Sequence, residues 1–103
     1  STFKMGVYSK FSNSINVEML AESLYMTVKT FTRRFKQEFN MTPHDWILEQ
    51  KLYNINNSII NKGMPVSSLM EEFGFASVSA LRQFCKRYDI EHLLDFIRDE
   101  KAG

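Results

Sequence analysis

The stretch TVKTFTRRFK, residues 27 to 36, threads four cations between and around two phenylalanines set four apart. Cationic nitrogens neutralise phosphate and donate hydrogen bonds to base edges, whereas phenylalanine does neither. On a helix turning about 100° per residue, Val28, Phe31, Phe35 and Phe39 share one stripe, with the i, i+3, i+7, i+11 spacing of a face pressed into a core. Lys29, Thr32, Arg33 and Lys36 share a second stripe, centred roughly 100° round from the first. A charged stripe is also what a solvated surface helix shows. A merely soluble surface mixes its signs, however, and Lys29, Arg33, Arg34 and Lys36 meet no acid before Glu38. This edge points to an anionic partner.

Other residues with chemical potential lead to bland roles. His44 and His92 lie far apart with no Cys or carboxylate at ligand spacing, so they read as surface or capping residues and no metal is expected. Cys85 is the single cysteine, cannot form an internal disulfide, and reads as core filling. That cysteine usage fits a reducing, cytoplasmic compartment, in which the sequons at Asn40-Met41-Thr42 and Asn56-Asn57-Ser58 are coincidences. Trp46 reads as a core anchor rather than a stacking platform. With no Gly-rich phosphate loop and no nucleophile paired with a base, neither an enzyme nor a cofactor site is expected.

The chain has 103 residues, enough for one domain with its own core, and 44% hydrophobic with 24% charged residues is an ordinary globular balance. Its apolar runs are too short to span a bilayer, so no membrane contact is expected of this segment. No signal peptide is visible, and a first residue Ser1 in place of Met is what a piece of a longer protein would have. A net charge of only +1 would count against nucleic acid, but it averages two unlike halves. Residues 1 to 62 hold eight Lys and Arg against five Asp and Glu, while residues 63 to 103 hold five against seven. The front half is the electrostatically plausible binder.

Only four Gly and two Pro punctuate the chain, no Asn-Gly or Asp-Gly joins alternating runs, and apolar residues recur at three and four, which predicts an all-α domain. A first helix is predicted over Phe3 to Phe11, on Phe3, Val7 and Phe11. Asn16 caps a second, Val17 to Leu24, and Thr27 caps the cationic one. Thr42 caps a long helix from Pro43 to Ile60, in the manner of a capping box with Asp45, and Trp46, Ile47, Leu52, Ile55 and Ile59 should face inward. Asn61-Lys62-Gly63 ends it.

Beyond that break the pattern repeats. LAESLYMTVKTFTRRFK at 20 to 36 aligns with LMEEFGFASVSALRQFCK at 69 to 86 if the second turn holds one extra residue. Leu20 then matches Leu69, Tyr25 matches Gly74, Phe31 matches Leu81 and Lys36 matches Lys86. Two helix-turn-helix units joined by a long linker helix are implied, as a first lobe at 1–42, the linker at 43–60 and a second lobe at 61–103. Tyr25 stands where a turn of this kind needs a positive φ, so it is expected either to be strained or to shift the turn.

This order and spacing, over residues 15 to 88, resembles the DNA-binding domain of AraC/XylS-type transcription regulators, a bacterial family. The resemblance implies a bihelical domain whose two recognition helices enter successive major grooves of double-stranded DNA. It also implies RNA polymerase as a further partner, and a sensing or dimerisation domain outside this chain. The base-reading positions it carries over are Lys29, Thr32 and Arg33, with Lys36 reaching phosphate, and in the second unit Ser79, Arg82, Gln83 and Lys86. Gln83 stands where the family commonly has Arg, and Cys85 where it commonly has Phe. Gln can still pair with adenine and Arg82 with guanine. The tail departs further: after Tyr88 the family has an aromatic, a Gly and a capped Pro, whereas this chain reads DIEHLLDFIRDEK. Leu93, Leu94, Phe96 and Ile97 predict a terminal helix whose acids Asp89, Glu91, Asp95, Asp99 and Glu100 would repel phosphate. The acidic rear half also supports a second reading, a helix-turn-helix scaffold that serves protein–protein interaction.

Overall fold

The computed structural model describes residues 1–97, and the predicted acids Asp99 and Glu100 lie outside them. The fold is all-helical, with no strand among the described residues. It comprises α1 (Thr2–Lys10), α2 (Val17–Ser23), α3 (Val28–Phe39), α4 (Pro43–Ile60), α5 (Val66–Phe73), α6 (Val78–Arg87) and a closing 3-10 helix (Glu91–Phe96). Two compact units divide the chain, one over Ser1–Gln50 and one that begins at Lys51.

The first unit is built on aromatic packing. Phe31 and Phe35 of α3 are fully buried beside Phe3, Val7, Leu20, Trp46 and Ile47. Phe35 stacks on Phe39 with centroids 4.1 Å apart and meets Trp46 edge-on at 5.6 Å. Burying one such ring contributes about 1.5–3 kcal/mol. α1 stops a residue short of the expected Phe11, whose backbone is extended at ψ 139° while its ring still reaches Trp46 at 5.4 Å. The Ser12-Asn13-Ser14 run that follows favours local side-chain bonding over further helix. A Cβ at Gly6, mid-helix, would lie 3.0 Å from Leu24 Cδ2, so α1 approaches the end of α2 closely.

The second unit encloses Ile55, Ile59, Leu69, Phe73, Leu81, Cys85 and Leu93. α4 buries Trp46 and Ile47 in the first core and Ile55 and Ile59 in the second, while Leu52 is only half-buried. Ser58 is buried as well, a polar residue that apolar spacing could not flag. The expected terminal helix is a single 3-10 segment, with Leu93 buried, Phe96 exposed and Ile97 extended at ψ 128° beyond its end. Six residues without a side-chain cap have little to extend an α-helix.

Candidate nucleic-acid interface

α3 starts where Thr27 accepts a hydrogen bond from the Thr30 N–H at 3.2 Å, and α6 starts likewise at Ser77, which accepts from the Ala80 N–H at 3.1 Å. Each hydroxyl satisfies one of the donors a helix start leaves orphaned. The preceding turns are built alike. In the first, Tyr25 takes φ 58°, its N–H reaching Glu22 O at 2.9 Å while the Met26 N–H reaches Ala21 O at 3.0 Å. In the second, Gly74 takes φ 74° and the Phe75 N–H reaches Met70 O at 2.9 Å. These are helix-ending turns through a left-handed residue. Tyr25 therefore accepts the strained conformation and leaves the turn in place, and its side chain is 98% exposed.

The extra residue expected in the second turn is there: one residue separates Tyr25 from the cap at Thr27, and two separate Gly74 from the cap at Ser77. With that offset the buried positions coincide, Leu20 with Leu69, Phe31 with Leu81 and Phe35 with Cys85. The outward positions coincide too. Lys29, Arg33 and Lys36 are exposed along α3, with Thr32 half-buried among them, and Ser79, Arg82, Gln83 and Lys86 are exposed along α6.

Arg34, adjacent to this stripe in sequence, is committed elsewhere. Its guanidinium lies over the Phe3 ring at 4.8 Å and its Nε meets Glu38 Oε2 at 3.3 Å. Glu38 also accepts from the Ser1 hydroxyl, and that bond, with Arg34 beside it, holds its carboxyl below the usual range. The one acid of α3 is thus engaged with Arg34 and Ser1, and no ion pair among the described residues reaches Lys29, Arg33 or Lys36. The three remaining cations can neutralise phosphate, and Arg33 can donate its fork to a guanine.

The second unit differs. Asp89, at φ 58°, reverses the chain at the end of α6, and the Ile90 N–H bonds Cys85 O at 2.8 Å. This turn brings the 3-10 helix against α6. A cleft of about 460 Å³ results, lined by Ser79, Arg82, Gln83 and Lys86 on one side and by Glu91, Leu94 and Asp95 on the other. All four residues expected to read DNA in this unit therefore share a cleft with two carboxylates. Sequence flagged those acids as repulsive but could not place them, because the turn at Asp89 carries neither Gly nor Pro. Cys85 is fully buried, and burial together with the Glu91 carboxylate pushes its thiol pKa up, which leaves it inert as a nucleophile. Among the described residues, no group of three or more His, Cys, Asp and Glu could hold a metal, and no helix is long and apolar enough to cross a membrane.

Comparison with known families agrees with this architecture. A family described as a helix-turn-helix domain matches residues 20–89, which run from α2 through α6 to the left-handed Asp89. No curated protein and no solved structure matches the chain. Two helices capped alike, two matching turns and a match over more than half of the chain lead to one assignment: the chain belongs to the AraC-type helix-turn-helix family of DNA-binding transcription regulators.

Proposed function

We propose that this chain is the DNA-binding part of a longer cytoplasmic regulator and that it reads duplex DNA sequence-specifically, with α3 as the principal reader. The observation that carries the proposal is the edge of α3, where Lys29, Arg33 and Lys36 are exposed while the helix's own acid is occupied by Arg34 and Ser1. Arg33 and Lys29 contact base edges, Thr32 contributes a hydroxyl at the groove wall, and Lys36 holds phosphate. In the second lobe, Arg82 and Gln83 face bases while Ser79 and Lys86 set position. The recognition helices occupy successive major grooves, with lobes at 1–42 and 61–103 and the linker at 43–60 between them. A sensing or dimerising domain and RNA polymerase are the further partners of the full regulator.

The experiment is a gel-shift titration with mixed-sequence duplex at low salt, repeated as salt rises. Affinity should fall linearly in log salt as counterions are released. A second reading, a scaffold for protein contacts, is favoured by Tyr25, an aromatic ring that is 98% exposed on a positive-φ residue. Binding that is absent, or flat between low and physiological salt, would support that alternative.

A further inference from the structure

The acids of the second unit face the cleft that its DNA readers line. Arg82 and Lys86 border it from α6, and Glu91 and Asp95 border it from the 3-10 helix, so its formal charge balances. None of the four is in an ion pair among the described residues, so both carboxylates are open to whatever enters. Because the two carboxylates line the same cleft of about 460 Å³ as Arg82 and Lys86, a phosphate that enters it to meet those cations also meets the acids. The corresponding edge of α3 carries three cations and has its acid tied up elsewhere.

We infer that Glu91 and Asp95 limit affinity in DNA recognition: they cancel the pull of Arg82 and Lys86 on phosphate, so that α6 adds base selection without adding sequence-independent grip. The inference rests on the proposed DNA reading. It makes the terminal segment a brake on sequence-independent grip, because phosphate affinity is common to every site whereas base contacts are not. Removing the two charges should therefore strengthen binding to preferred and random duplexes by about the same factor.

The test is salt-dependent binding of a labelled mixed-sequence duplex to the full chain, as wild type and as E91Q/D95N, with circular dichroism of each. Expected is affinity about fivefold higher at low salt and a log–log salt slope steeper by up to about 1.8, the value of two further neutralised phosphates. The control E49Q/E71Q removes the same charge from exposed glutamates outside the cleft and should leave the slope near wild type. Asp95→Asn alone, which keeps the acid in the first turn of the 3-10 helix, should give roughly half the slope change on the same counterion arithmetic. Wild-type binding with no change in E91Q/D95N, or a change matched by E49Q/E71Q, overturns the role of the cleft acids and leaves the DNA reading standing. No binding by any of these proteins overturns both.

Discussion

Arg33 and Arg34 are neighbours in sequence with different surroundings. Arg34 lies over Phe3 and meets Glu38, whereas Arg33 is exposed without an ion pair among the described residues. Spacing separates them only by angle; the i,i+4 pairing of Arg34 with Glu38 is visible in sequence, but the Phe3 ring under Arg34 and the Ser1 hydroxyl on Glu38 are not brought near by it. Losing a side chain that bonds a base bidentately costs about 1–3 kcal/mol, so Arg33→Ala should weaken binding to a selected duplex by that order. Lys36→Ala should instead weaken all duplexes alike and reduce the salt slope by about 1, as a phosphate contact does. Tyr25 is the strained residue. Tyr25→Gly relieves a left-handed conformation that costs an ordinary residue roughly 1 kcal/mol and should raise the unfolding free energy by about 0.5–1 kcal/mol in denaturant titration. Gly74→Ala should lower it by a similar amount. A Tyr25→Gly variant less stable than wild type would mean that the ring contributes something beyond its turn.

Helices whose start is written in one short-range signal were legible. Asn16, Thr27 and Thr42 carry the sequence signature of caps, and their side chains accept from the Met19, Thr30 and Asp45 N–H groups at 2.8, 3.2 and 3.1 Å. Thr27→Ala should cost about 1 kcal/mol of stability and, by fraying the start of α3, the proposed reader, weaken duplex binding as well. Phe35→Ala, which empties the centre of the aromatic core, should cost about 3–5 kcal/mol, measurable as a lower denaturant midpoint. Element ends were less legible. Phe11 keeps the helical spacing but is extended, and the tail that reads as a helix is a single 3-10 segment. Both are decided by competition between weak local preferences and packing, which apolar periodicity does not encode. The repeat was the strongest long-range signal, and its extra residue was legible because Leu20, Phe31 and Phe35 align with Leu69, Leu81 and Cys85, all buried.

Across the chain, charge follows the division between the two units. The cationic edge of α3 lies in the first, and the acids Glu91 and Asp95 lie in the second beside Arg82 and Lys86. The halves were legible as a difference in composition, but that Glu91 and Asp95 share one cleft with Arg82 and Lys86 of α6 follows only from the turn at Asp89. The two stripes should accordingly contribute unequally to DNA binding, with α3 dominant. One matched comparison decides this: affinity for a single duplex, selected from a random pool and measured at one salt concentration, for Lys29→Ala and Arg33→Ala beside Arg82→Ala and Gln83→Ala, with folding verified for each. The account predicts that the α3 substitutions weaken binding by about 1–3 kcal/mol and that those on α6 cost less. Larger losses from Arg82→Ala and Gln83→Ala than from Lys29→Ala and Arg33→Ala would contradict it and make α6 the principal reader.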